Sequence, residues 1–349
     1  MTGPAFRGLA ELAGAPVTVL TSPSGAEAAR LMPGVGDVLV YEAPWMKATG
    51  PRRDAGTDFA MIEALRERRF DGAAIFTAYS QSPLPAAMLC YLADIPLRLA
   101  HCHDNPYQIH TDWVADPEPQ DEIRHEVQRQ IDLVTGVGAR VGDPRLALEV
   151  PPSAAARVES LLAQHGLGRG EYVVIHPDST APSRRYPAAL FAEVVRAIGR
   201  ASLPIVVTGT REERELAGEV LSGADGSTVN LAGCLAFEEL AAVIDGAPLL
   251  IGNNSGPVHI AAAVGTPGRR HLCTDEPATH TLGRPLPGAL ERCAVPVVLQ
   301  ERLPRRAPSL PPRCTAGRRR CSGDGTPARR VECRSQQRLP PGAALIRGR

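Results

Sequence analysis

Three loops carry the residue types that could hold and process a ligand. In the first, His176-Pro-Asp-Ser-Thr-Ala-Pro-Ser-Arg-Arg-Tyr-Pro187, hydroxyls (Ser179, Thr180, Ser183) and two cations (Arg184, Arg185) stand between an apolar run and a helical stretch. Loop amides and the dipole of a helix N-terminus favour a phosphate in such a place, and guanidinium adds two-pronged pairing. The second loop, Thr208-Gly-Thr-Arg-Glu-Glu-Arg-Glu215, offers Gly209 for close approach of a ligand. Glu212 or Glu213 could accept hydrogen bonds from ribose hydroxyls, although acids in a first helical turn also complement the dipole with no ligand present. The third loop is Gly252-Asn-Asn-Ser-Gly-Pro-Val-His-Ile-Ala-Ala-Ala-Val-Gly-Thr-Pro267. Here Asn254 and Ser255 suit an N-cap and Pro257 a first turn. Free amides at this N-terminus, flanked by Gly256, would point at a phosphate, with His259 on the same turn.

A weaker candidate is His103, Asn105 and Tyr107, which follow a strand end in the run His101-Cys-His-Asp-Asn-Pro-Tyr107 and could face a second substrate. The same residues also read as a turn built on Asp104-Asn-Pro. His101 and His103 flank a cysteine, but no complementary ligand cluster accompanies them, and neither a metal nor a separate cofactor is expected. No G-x-G-x-x-G follows a strand, and there is no G-x-x-x-x-G-K-[ST] and no G-x-S-x-G. Dinucleotide, P-loop and serine-elbow chemistries therefore lack support. The eight cysteines include no C-x-x-C and read as free thiols of a reducing compartment.

These loops need strands and helices to hold them. Seven short apolar runs read as strands covered by helices on both faces: 16–20, 37–41, 72–77, 96–101, 172–176, 204–208 and 248–252. Helical stretches fall between them at about 5–13, 24–31, 57–68, 82–93, 119–135, 187–200, 211–221, 236–245 and 257–264. Alternation of this kind means an α/β fold with parallel sheets. It pauses at 142–170, where Pro-Pro and glycines suggest a connector carrying a helix. The division expected is a Rossmann-like half over 1–150, a second over 151–267, and a cleft between them for the ligand.

Of 349 residues, 38 are basic and 38 acidic, but the balance is a sum of unlike parts. Residues 268–349 hold 17 arginines against six acids, a net +11, while the remaining 21 basic residues face 32 acids, a net −11. All 14 aromatics lie before position 268, and Lys47 is the sole lysine. The tail has the composition of a disordered segment, and its Arg, Pro, Gly, Ala and Cys excess is that of an out-of-frame translation of a GC-rich gene. The acidic body argues against a nucleic-acid partner. No apolar run is long enough to cross a membrane and the start lacks a signal-peptide core, so the expectation is a cytoplasmic protein.

The three loops, in this order and spacing, resemble those of glycosyltransferase family 9, the ADP-heptose:lipopolysaccharide heptosyltransferases and their relatives. The stretches that carry the resemblance are VVIHPDSTAPSRRYPAALFAEVVRAI, VVTGTREERELA and NLAGCLAFEELAAVIDGAPLLIGNNSGPVHIAAAVGTP, over about 172–267. The resemblance implies a GT-B fold and inverting transfer of a heptose from a nucleotide-sugar donor, ADP-heptose-like, to a lipopolysaccharide-core or related glycan acceptor, with no required metal. It implies that Ser179, Thr180 and Arg184 hold the diphosphate, that Glu213 reaches the ribose, and that Asn254, Ser255, Gly256 and His259 line the donor pocket. It also implies a monomer touching the inner membrane face through its acceptor. The family often has Asp where Asn254 stands. Its members begin with a strand and a Gly-Asp turn whose Asp is the general base. The run Gly3-Pro-Ala-Phe-Arg7 resembles the helix after that turn, so neither strand nor base has a counterpart, and the edges beside that strand are expected to lack a partner. Asp54, Asp58 and Asp104 are the other carboxylates that a cleft could recruit. The alternative is an inactive nucleotide-sugar-binding remnant.

Overall fold

The computed structural model describes residues 1–271 and 297–300, apart from 47, 48, 120, 122, 180–184, 201, 225 and 267. The first half runs α1 (Gly3–Ala13), β1 (Val17–Thr21), α2 (Pro23–Arg30), β2 (Val35–Val40), α3 (Gly56–Arg68), β3 (Gly72–Ile75), α4 (Leu84–Leu92), β4 (Leu97–Cys102), β5 (Asp112–Ala115) and α5 (Glu126–Thr135). The second half runs α6 (Pro152–Ala163), β6 (Val173–His176), α7 (Ala188–Gly199), β7 (Ile205–Val207), α8 (Arg214–Leu221), β8 (Thr228–Asn230), α9 (Phe237–Asp245), β9 (Leu249–Asn253), α10 (Gly256–Val264), β10 (Gly268–His271) and β11 (Val297–Gln300).

In the second half one sheet has the order β11-β10-β9-β6-β7-β8. All neighbours are parallel except β10 and β11. The apolar run at 173–176 is continuous because both faces of β6 are covered. Val173 and Ile175 join Phe191, Val195, Ile205 and Val207 on one face. Val174 joins Tyr172, Val243, Ile244 and Leu250 on the other. Side chains alternate along a strand, so two cores share one backbone. Each fully buried Ile or Phe contributes about 1.5–3 kcal/mol. Residues 148–150 connect the halves: Leu148 and Val150 pack on the second-half core, and Glu149 N donates to Leu31 O at 2.8 Å.

The first half carries two separate sheets, β1-β2 and β3-β4-β5, all parallel. The first is thus paired on one side of β1 and the second on one side of β3. Between them lies a cavity of about 690 Å³.

Three expectations change. The helix expected over 119–135 begins at Glu126, because Asp116 and Glu118 instead anchor Arg124 and Arg129. Strands β5 and β8 were not anticipated; each is only three or four residues and depends on its neighbour's edge. The irregular tail was set to begin at 268, yet Gly268–His271 extends the sheet in parallel register with 250–253, and 297–300 pairs antiparallel with it. A buried sheet edge recruits backbone whatever its side chains. The disorder expected of 272–296 and 301–349 lies outside the described residues. Among the described residues no helix is long and apolar enough to cross a membrane.

Candidate functional site

Strands β9, β6 and β7 are neighbours and parallel, so the loops that follow them leave the sheet at one end. That is the end at which open α/β sheets bind ligands. His176 closes β6 and Thr208 follows β7; both are buried, and His176 Nδ1 lies 3.0 Å from Thr208 Oγ1. Burial drives the imidazole pKa down to about 4, although Asp178 pulls the other way. Gly252 makes this crossing possible, since a Cβ there would stand 2.8 Å from His176 O.

The first loop is held down by Asn253, which is completely buried. Its Nδ2 donates to Pro177 O (2.6 Å) and its Oδ1 accepts from Tyr186 N (3.0 Å), so one amide ties both ends of the segment 177–186 to β9. Asp178 is buried and pairs with Arg185 Nε at 2.7 Å, and that nitrogen also donates to Ser179 O at 2.7 Å. Ser179 is buried. Thr180, Ser183 and Arg184, also named from the sequence, lie outside the described residues.

Glu213 is the residue before α8, and its carboxylate turns back over Gly209 to accept from Thr210 N at 2.8 Å. Burial raises its pKa, and the neighbouring Asp178 adds to the rise. The loop after β8 locks this turn: Gly233 N donates to Gly209 O at 2.9 Å with Gly233 at φ +71°. In the third loop Ser255 is the N-cap residue of α10 by position, but its hydroxyl does not cap the helix. It donates towards Asn253 O (3.3 Å) and Asp178 O (3.5 Å) instead. Gly256 opens the helix with space around it. Asn254 is buried and His259 half-buried, and both have partners. The structure therefore gathers Ser179, Arg185, Gly209, Ser255 and Gly256 around the two carboxylates Asp178 and Glu213 and the N-terminus of α10.

The first-half candidates are arranged differently. His103 is partly exposed; Nε2 lies 3.0 Å from Tyr79 O, and Nδ1 3.3 Å from Asp116 O. Asn105 Oδ1 accepts from Tyr107 N at 2.9 Å, which is turn chemistry, and Tyr107 is 81% exposed at φ +50°. Asp54 caps the start of α3 through Gly56 N (2.9 Å). Asp58 accepts from Tyr41 OH (2.6 Å) and Arg52 NH1 (2.9 Å). Among the described residues no three His, Cys, Asp or Glu side chains gather around a metal-sized site.

Sequence reasoning missed a buried ion network. Arg129, 1% exposed, meets Asp116 Oδ2 and Glu118 Oε2 at 2.6 Å each and donates through Nε to Thr77 O (3.0 Å). Arg124 adds Glu118 (2.9 Å) and Asp132 (3.1 Å). Burial would raise both carboxyls, but the two guanidiniums outweigh it and hold Asp116 and Glu118 below their ordinary range. Asn253 was also missed, although twin asparagines ending a buried strand are the visible signal.

Residues 59–268, more than half of the chain, match the model of glycosyltransferase family 9 (heptosyltransferase). The chain is 33% identical over 144 residues to lipopolysaccharide heptosyltransferase 3 of Escherichia coli. That match takes in 40% of this chain and 42% of the relative, so the chain spans less than half the length of the curated relative it matches. The structure of E. coli ADP-heptose lipopolysaccharide heptosyltransferase II superposes with a TM-score of 0.62 at 20% identity, over 82% of this chain and 87% of that one. E. coli heptosyltransferase WaaC with ADP-2-deoxy-2-fluoro heptose gives 0.57 at 19% identity, over 82% and 91%. The fold is thus GT-B-like, and the chain belongs to glycosyltransferase family 9.

Proposed function

We propose, from this membership, that the chain binds a nucleotide-sugar donor on the loops after β6, β7 and β9 and transfers the sugar, heptose-type, to a lipopolysaccharide-core or related glycan acceptor. The observation that carries the reading is the double tether from Asn253, which holds a hydroxyl- and arginine-bearing loop beside the uncapped start of α10. Amides, helix dipole and guanidinium then face the place where a leaving diphosphate gains charge. Glu213 and Asp178 supply acceptors for ribose hydroxyls. Transfer is inverting: the acceptor hydroxyl loses its proton, its oxygen bonds to the anomeric carbon, and the diphosphate leaves. The donor is a substrate, and neither a metal nor a separate cofactor enters. The acceptor side is formed by the first half, with His103, Asn105 and Tyr107 at its rim. The protein works as a cytoplasmic monomer and meets the inner membrane face through its acceptor.

A second reading, a nucleotide-sugar-binding remnant without turnover, is favoured by one observation. Asp54 and Asp58 are engaged in capping and in pairing with Tyr41 and Arg52. Calorimetric titration with ADP, run beside an ADP-release assay with donor and acceptor, separates the two. Binding with turnover supports transfer, binding alone supports the remnant, and no ADP binding overturns both.

A further inference from the structure

We propose, resting on the nucleotide site inferred above, that Asp178 and Arg185 are a positioning pair: they set the Glu213 carboxylate to receive the two ribose hydroxyls, so that the site selects a ribonucleotide over a dideoxynucleotide. Asp178 stands where the three loops meet. Its carboxylate takes Arg185 Nε at 2.7 Å, across the loop after β6. The Glu213 carboxyl, on the loop after β7, shares a hydrogen bond with it. Its backbone O lies 3.5 Å from the Ser255 hydroxyl, on the loop after β9. Asn253 ties the preceding Pro177 O to β9 at 2.6 Å, so the backbone that carries Asp178 is itself fixed.

Glu213 needs such support. One of its oxygens accepts from Thr210 N (2.8 Å) above Gly209, where a Cβ would come within 2.8 Å of that oxygen. That contact alone lets the carboxyl group swing about one atom; Asp178 supplies the second fixed point. Burial raises the Glu213 pKa, Asp178 raises it further and Arg185 lowers it, so the three groups act on one another. Without the guanidinium the two acids would repel and turn apart. Two carboxyl groups side by side suit two vicinal hydroxyls, each of which donates to a carboxylate oxygen. Such selectivity requires the acceptors to be held within about 0.5 Å by the groups behind them. The sequence places Arg185 in a phosphate-type loop, yet the structure gives its Nε two other acceptors, the Asp178 carboxylate and Ser179 O, each at 2.7 Å. A lysine there would keep the charge and put a methylene where Nε stands, so charge and positioning are separable.

The experiment is calorimetric titration of the full chain with ADP, 2′,3′-dideoxy-ADP and AMP. Ratios of Kd within one variant are compared, because a change in the folded fraction cancels from them. The unaltered chain should bind ADP at least about tenfold more tightly than dideoxy-ADP, as expected for hydroxyls received by a charged acceptor. Arg185→Lys and Asp178→Ala should each bring that ratio below about threefold, and Glu213→Ala should abolish it. Asp178→Asn still bonds to both neighbours and should restore most of the discrimination. Arg185→Lys should leave the ratio of ADP to AMP affinity within about twofold of the unaltered chain, since the charge remains. Discrimination that survives in both R185K and D178A overturns the pair and leaves the nucleotide site standing. A fall in the ADP-to-AMP ratio of R185K with its discrimination intact makes Arg185 a phosphate ligand and overturns the pair as well. Tight ADP binding by the unaltered chain with no preference over dideoxy-ADP removes the ribose-reading role. No ADP binding by the unaltered chain overturns the nucleotide site itself, and the role of the pair with it.

Discussion

Replacing Asn253 with Leu keeps the shape of a fully buried side chain and deletes both of its hydrogen bonds. Pro177 O and Tyr186 N lose their Asn253 bonds inside the protein, each at a cost of about 1–3 kcal/mol, so the fold should lose roughly 2–6 kcal/mol unless the segment 177–186 moves to find water. Such movement is the informative case. If half of the cost is relieved by loop displacement, the arrangement proposed to hold a diphosphate is disfavoured by about 1–3 kcal/mol, and ADP binding should weaken by roughly 5- to 150-fold. Urea denaturation measures the first quantity and calorimetric ADP titration the second. Asn253→Asp should sit between wild type and N253L in ADP affinity, because it keeps the acceptor for Tyr186 N and loses the donor to Pro177 O. Wild-type ADP affinity together with a stability loss below about 0.5 kcal/mol in N253L would refute the tether.

Other perturbations give separate readouts. Arg129→Met strands two buried carboxylates and should cost about 3–5 kcal/mol in urea denaturation, with part of the loss recovered when Glu118→Gln is added. His176 is neutral in both states at neutral pH. As pH falls below 6.5 the unfolded chain takes up a proton that the folded site refuses until about 4, so stability declines across that window. The limb is worth about 3 kcal/mol at most, and His176→Gln should flatten it in denaturation series run from pH 7 to 4. Gly252→Ala pushes a methyl group to within 2.8 Å of His176 O and should lower stability by about 1–3 kcal/mol, seen as a depressed Tm. Glu213 has a raised pKa, so its ionisation opposes folding as pH rises above the ordinary carboxylate range, and Glu213→Gln should remove that slope.

Most of the second half is readable along the chain. Apolar runs at 172–176, 204–208 and 248–252 become β6, β7 and β9 within a residue or so, because each strand is covered on both faces and needs no alternation. The loops between strand and helix follow, since Gly209, Gly256 and Pro257 act through their own backbone. Short β5 and β8 are less visible, because three or four residues such as Thr228–Asn230 owe their strand conformation to a neighbour. The helix start at Glu126 was misjudged for a related reason: Asp116 and Glu118 answer to arginines six to thirteen residues away.

What the sequence by itself determined is the alternation of strand and helix, the three loops with their hydroxyls, acids and arginines, and through them the family. Those features are encoded by neighbours within a turn or a strand. Only the tertiary structure decided which asparagine ties the loop between β6 and α7, that Glu213 folds back over Gly209 towards Asp178, and that Arg129 is the centre of a buried charge network. It also decided that the strands of the first half divide into two sheets, β1-β2 and β3-β4-β5. Each of these depends on which strand lies beside which, and hydrogen bonding across 67 or 76 residues leaves no periodic trace in the chain.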